Sequence, residues 1–173
     1  MADNHSASQR HNNMAAIHSK DTKPEMIVRK WLWNRGFRYR LTHRRLPGKP
    51  DLVLRKYRTC IFVNGCFWHG HMVEENGNPV ACRFFKMPKT NQTFWQNKIS
   101  RNQERDKEVQ LKLAQMGWHC ITIWECELKP ARREATLLSL EYTLNHILLE
   151  DFKRLHPYSF DDSNLSFAAE TER

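Results

Sequence analysis

A chain of 173 residues with 40% hydrophobic and 11% aromatic content is long enough to bury a core as one domain, and its composition is globular rather than disordered. Lys and Arg number 28 against 19 acids, a formal charge of +9, which points to a polyanionic partner, nucleic acid first, or to a protein that is simply cationic. No apolar run approaches the ~20 residues of a membrane span, and the N-terminus MADNHSASQRHNNM lacks a secretory signal's apolar stretch, so the expected location is the cytoplasm.

Residues 1–20 read as a polar arm in which NMAAIHSK forms a short helix with Met14 and Ile17 on one face. A second helix starts at DTKPEM, with Asp21 or Thr22 as cap and Pro24 in its first turn. It carries Ile27, Trp31, Met26 and Leu32 on adjacent faces and stops at Gly36. FRYRLT (37–42) alternates like a strand, and LPGKP (46–50) is a turn. DLVLRK and TCIFV are two short strands of a hairpin. Residues 72–92 look irregular, with Gly77, Pro79 and Pro88 among them. A charged helix follows over 93–116, with a partial stripe of Trp95, Ile99, Val109, Leu113 and Met116, and Gly117 ends it. WHCITIWE (118–125) reads as a buried strand, and 132–150 as a helix with Leu137, Leu140, Leu144, Ile147 and Leu148 at core spacing. Residues 157–173 read as a polar, flexible tail. The expected fold class is α/β, one domain over 21–156 with a central mixed β-sheet flanked by helices.

Three groups of residues can carry chemistry. Asp51 leads one strand of the hairpin, and the other ends at Val63-Asn64, so the pattern sets Asp51 beside the 63–64 backbone at one sheet edge. A carboxylate and a strand-end carbonyl are hard ligands suited to Mg²⁺ in phosphodiester hydrolysis, and Glu25 can supply a further carboxylate. Equally, Asp51 is a turn residue and Glu25 a favourable charge at a helix N-terminus. The second group is Cys66, His71, Cys82 and Cys126, a soft Cys₃His set suited to tetrahedral Zn²⁺. Five cysteines are an odd number, and in a reducing compartment they exclude a disulfide framework; Cys60 and Cys120 read as core. His69, left between two of these ligands, is free for acid–base work or is a hydrogen-bonded loop residue. The third group is aromatic. Phe67 and Trp68 share a short loop, and Trp95 opens the long helix; exposed, they would stack on or wedge between bases, and buried, they would pack the loop.

The segments HNNMAAIHSKDTKPE, LPGKPDLVL, IFVNGCFWHGH, FFKMP, FWQNKISRNQERD and GWHCITIWECEL resemble, in that order, the very short patch repair (Vsr) mismatch endonucleases. The resemblance covers roughly residues 8–150. It implies a restriction-endonuclease-like fold with a structural zinc, and an enzyme that nicks DNA 5′ to the T of a T·G mismatch left by 5-methylcytosine deamination. Asp51 and the Val63 carbonyl would then hold Mg²⁺, Glu25 would position water, and His69 would transfer a proton. Cys66, His71, Cys82 and Cys126 would bind zinc. Phe67, Trp68 and Trp95 would wedge in from the major groove, and Met14 and Ile17 would press in from the minor groove. The implied enzyme acts as a monomer on double-stranded DNA and is linked to a cytosine-5 DNA methyltransferase and to repair proteins. Two departures stand out. The residue after Val63 is often histidine in the family and is Asn64 here, which can position water but takes up no proton near neutral pH. The acidic, turn-rich insertion MVEENGNPVA separates His71 from Cys82 and should bulge into solvent. Two other readings fit the same residues: a restriction-type endonuclease that cuts both strands, and a mismatch-binding protein whose centre has lapsed through Asn64.

Overall fold

The computed structural model describes residues 20–41 and 43–156, with Ser8, Gln9 and Asn12 ahead of them. In chain order the elements are α1 (Lys23–Asn34), β1 (Leu52–Leu54), β2 (Thr59–Asn64), β3 (Met72–Glu75), β4 (Asn78–Ala81), α2 (Gln92–Gln115), β5 (His119–Trp124) and α3 (Pro130–Leu155). Short 3₁₀ turns lie at Arg55–Tyr57 and Glu125–Leu128. The proposed N-terminal helix with Met14 and Ile17, and the 157–173 tail, fall outside the described residues.

The main sheet has the order β1-β2-β5. β1 runs antiparallel to β2 and β5 runs parallel to it, which makes the sheet mixed. Period-two alternation divides the strand residues between two cores. Leu52, Leu54, Ile61 and Ile123 meet Val28 and Leu32 of α1 and Leu137, Leu140 and Leu144 of α3. Val53 and Cys60 face the other way, towards Leu113 of α2 and Leu46. The molecule is therefore helix, sheet, helix in layers. Each fully buried Leu or Ile contributes about 1.5–3 kcal/mol relative to exposure.

Local signals set the helix ends. The Thr22 hydroxyl oxygen accepts from the Glu25 N–H at 3.4 Å, and Pro24 occupies the first turn, where no N–H is needed. Gly36 ends α1 at φ +84°, a conformation that lets the Phe37 N–H reach back to the Leu32 carbonyl at 2.9 Å. Past the C-terminus of α2, the Arg58 guanidinium donates to the carbonyls of Met116 and Gly117. That cation sits where the helix dipole favours it.

Two sequence expectations are corrected. Of the strand expected over 37–42, the described residues 37–41 form none: Arg40 alone makes a two-bond bridge with Val53. Phe37 turns into the core and the Tyr39 hydroxyl donates to the Arg29 carbonyl, so the segment is tied to α1 rather than along β1. The stretch 72–92 is not wholly irregular, because β3 and β4 form an antiparallel hairpin. Its turn is Asn76-Gly77, both at positive φ, the pairing that suits a tight hairpin. As expected from its composition, the insertion lies largely in solvent. Among the described residues, no helix is long and apolar enough to cross a membrane.

Candidate active site and metal centre

The topology concentrates chemistry at one edge of the sheet. β2 and β5 are parallel, so both C-terminal ends lie there, and antiparallel β1 begins there. Asp51 directly precedes β1. Its Oδ2 accepts from the Val63 N–H at 2.7 Å, and its own N–H donates to the Ile61 carbonyl at 3.0 Å. A cavity of about 840 Å³ opens at this edge, lined by Glu25, Asp51, Val63, Asn64, His69 and Asp106, among others. Lys49, Arg105, Lys129 and Arg133 bring positive charge to its walls.

Burial pushes the Asp51 carboxyl above the ordinary carboxylate range, and the Glu25 charge pushes the same way. The Val63 N–H, Arg29 and His69 pull it down. Glu25 is 4% exposed, and both its carboxylate oxygens are engaged. Oε1 accepts from the Thr22 hydroxyl at 2.9 Å; Oε2 accepts from the Asp21 N–H at 3.1 Å and from Arg29 Nη2 at 2.9 Å. A buried carboxylate oxygen beside a strand-end backbone, with a second carboxylate near, is a hard donor set that fits a small divalent cation.

His69 has a partner that sequence reasoning missed. Its Nδ1 is hydrogen-bonded to Asp106 Oδ2 from the middle of α2. Asp106 engages the ring at Nδ1, so any proton exchange with the cavity would go through Nε2. The loop carrying His69 is clamped to the same helix. Asn102 donates to the Trp68 carbonyl at 2.8 Å, and Gln103 donates to the carbonyls of His69 and Gly70 at 3.3 and 3.1 Å. Gly70 is required here: at φ +57°, a Cβ would lie 2.6 Å from Gln103 Nε2 and 2.7 Å from Ile99 Cγ2.

Cys66, His71, Cys82 and Cys126 are all buried, and their ligand atoms lie within 4.8 Å of one another. His71 Nδ1 is 3.5 Å from Cys66 Sγ and 3.4 Å from Cys126 Sγ. Edges of this length match a tetrahedral metal at about 2.0–2.3 Å from each donor. The Cys82 N–H donates to the His71 carbonyl at 3.0 Å, so the long insertion between them starts and ends on one bond. Trp124 stacks on the His71 ring at 3.9 Å and 7°. Burial pushes the Cys66 and Cys126 thiols up and the His71 imidazole down, opposed at His71 by Glu127. Burial thus disfavours the Cys66 and Cys126 thiolates, and a bound cation is what would stabilise them.

Phe67, Trp68 and Trp95 gather in one cluster, with centroids 5.1–5.9 Å apart. All three are half-buried rather than fully exposed. Phe94, another residue the sequence reading missed, extends the cluster at 5.2 Å from Trp95 and is 58% exposed. Lys98 Nζ lies 5.5–5.8 Å from the rings of Trp68, Phe94 and Trp95. The cluster adjoins the cavity, because Trp68 lines both.

Comparison with known proteins places the chain in a family. The sequence model of the family described as DNA mismatch endonuclease Vsr matches residues 2–75. The type II nicking enzyme V.NmeAIP of Neisseria meningitidis serogroup A is 46% identical over 129 residues, 75% of this chain and 86% of that one. V.XorIIP of Xanthomonas oryzae pv. oryzae, also a type II nicking enzyme, is 38% identical over 148 residues, 86% and 98% of the two chains. The DNA mismatch endonuclease Vsr of Escherichia coli K12 is 40% identical over 129 residues, 75% and 77%. The chain belongs to the Vsr DNA mismatch endonuclease family. Its fold is the restriction-endonuclease-like α/β arrangement of that family. In this Vsr-family chain the acidic insertion appears as β3 and β4, and Asn64 stands at the end of β2, paired in register with Trp124.

Proposed function

We propose that this DNA endonuclease of mismatch repair nicks one strand 5′ to the T of a T·G mismatch and starts very short patch repair after 5-methylcytosine deamination. The observation that carries the reading is the convergence of Asp51, Val63, Glu25 and the His69–Asp106 pair on one cavity beside an aromatic cluster. Nicking is what the names of V.NmeAIP and V.XorIIP state of those proteins.

Asp51 and the Val63 carbonyl would hold Mg²⁺, which when bound supplies Lewis-acid stabilisation of the scissile phosphate and a more acidic attacking water. Glu25 and Asn64 orient water on the cavity side. His69, held by Asp106, moves a proton at Nε2. The cationic walls neutralise the incoming phosphodiester. Cys66, His71, Cys82 and Cys126 would hold Zn²⁺ and tie the 66–82 region to the end of β5. Phe67, Trp68 and Trp95 open a base step; Met14 and Ile17 act from the other groove. A mismatched step costs less to unstack than a paired one, which gives a physical route to mismatch preference. One chain supplies every group named, which supports action as a monomer. The cytosine-5 methyltransferase that creates the methylated site is the natural functional companion.

Incubation with Mg²⁺ and duplexes carrying T·G in varied flanking sequences tests the reading. The expected product is a nick in the T strand only, lost in Asp51→Ala with mismatch binding retained. Cleavage of both strands would favour the restriction-type reading. Mismatch binding without Mg²⁺-dependent cleavage would favour a lapsed centre.

A further inference from the structure

α1 buries a full guanidinium. Arg29 is 8% exposed and packs within a helix whose neighbouring inward residues are Val28 and Leu32. Its fork spans two carboxylates: Nη1 bonds Asp21 Oδ1, and Nη2 bonds Glu25 Oε2 at 2.9 Å. Nη1 also lies 3.7 Å from Met26 Sδ, and Nε is buried with no hydrogen-bond partner among the described residues. The arrangement is costly. A buried ion pair commonly adds no more stability than apolar residues of the same volume would, because desolvation of the charges opposes their attraction. Helix capping does not require it either, since Thr22 already accepts from the Glu25 N–H and Glu25 already accepts from the Asp21 N–H. What the guanidinium adds is a fixed attitude for one carboxylate at the cavity wall and a positive charge felt at Asp51, where Glu25 acts in the opposite sense. Among the charges acting on Asp51, Arg29 offsets the like charge of Glu25.

We propose that Arg29 is a positioning residue of the nuclease centre: its planar fork, anchored on Asp21, holds the Glu25 carboxylate in the attitude from which it orients the attacking water. The inference rests on the nuclease reading above. A planar fork fixes a carboxylate's direction as a point charge does not, so lysine should replace it only in part. Asp21 is the outer anchor. It is exposed and already in the left-handed region at φ +56°, where asparagine is well tolerated, so Asp21→Asn loosens the fork without disturbing the core.

The test compares Arg29→Met, Arg29→Lys and Asp21→Asn with the parent protein. It measures nicking of a T·G duplex as kcat and KM, Mn²⁺ binding to the protein alone by electron paramagnetic resonance, and the melting temperature. Misorientation of this kind costs up to about 10²-fold in rate. Arg29→Met should lose kcat by 10- to 100-fold at unchanged KM, Arg29→Lys should recover part of it, and Asp21→Asn should lose several-fold with no change in melting temperature. Mn²⁺ should bind Arg29→Met at least as well as the parent, since a nearby positive charge is gone. Parental kcat in Asp21→Asn and Arg29→Lys overturns the proposal, and so does a rate loss matched by lost Mn²⁺ binding and a lowered melting temperature, which marks a purely structural role. If Arg29→Met does not fold, the other two variants decide. A parent protein that binds the mismatch and never nicks removes the nuclease reading, and this inference with it, whereas a parent that nicks beside unaffected variants removes the inference alone.

Discussion

Asp106 and Trp68 show how single side chains near the cavity divide their work. Asp106 bonds the ring of His69 from the half-buried middle of α2, so Asp106→Asn should leave the fold and mismatch binding intact. It should lower the nicking rate by about 10²-fold, within the range of general acid–base effects; a parental rate would show that His69 does not depend on the Asp106 charge. Trp68 is half-buried among Phe67, Trp95 and the Lys98 ammonium. Stacking on a base is worth about 1–3 kcal/mol, so Trp68→Ala should weaken binding to a mismatched duplex by more than to a matched one. Equal losses would mark it as packing only. Asp51 beside Val63 could be read in the sequence because a short hairpin fixes which residues face each other. Cys66, His71, Cys82 and Cys126 could be read because buried soft ligands in one small domain have few other uses. Asp106 could not. It lies 37 positions from His69 in a run of charges where any residue could face solvent, and only the docking of α2 selects it.

The hairpin of β3 and β4 lies between two proposed zinc ligands yet contributes little to the core. Only Val73 joins the packing around the cysteines, with Phe85 and Trp124. Because the His71 carbonyl already accepts from the Cys82 N–H, excising 72–81 and rejoining the ends through a Gly-Gly link should keep zinc stoichiometry and leave the melting temperature within a few degrees. Zinc content and thermal melting check this. Chelation should by contrast lower the melting temperature sharply, as should Cys126→Ser, because the buried ligands would lose their common partner. The sequence carried a signal for this hairpin, Asn76-Gly77 between two valines, but Pro79 and the acids around it masked the alternation. The reverse holds over 37–41, where the alternation is present but only Arg40 pairs with β1. Edge pairing is decided by what lies beside a segment, and that information is distant in sequence.

Across the whole molecule, two cores press on one thin sheet, and Cys60 sits within one of them with no exposure. Burial pushes its thiol up to about 12 from an ordinary value of 9.0, helped by Cys120 beside it in register. The folded state therefore holds this proton more tightly than the unfolded chain does. The stability that follows is fully present below pH 9 and is lost as pH rises towards 12, at about 1.4 kcal/mol per unit. The urea midpoint should fall between pH 8 and pH 10.5, and Cys60→Ala should lessen that fall relative to its own midpoint at pH 8; an unchanged fall would assign it to other groups.

Asp106 follows Trp95 by eleven positions, three turns of helix to within about 20°. Trp95, Ile99, Asn102 and Asp106 consequently ride on one line of α2, and the ring cluster and the His69 partner are in rotational phase. One alanine inserted between Gln96 and Ile99 would turn Trp95 by about 100° away from Phe67 while Asp106 stayed seated. Such a variant should keep a competent cutting centre that no longer feels what the rings touch, and its rates on matched and mismatched duplexes should draw together.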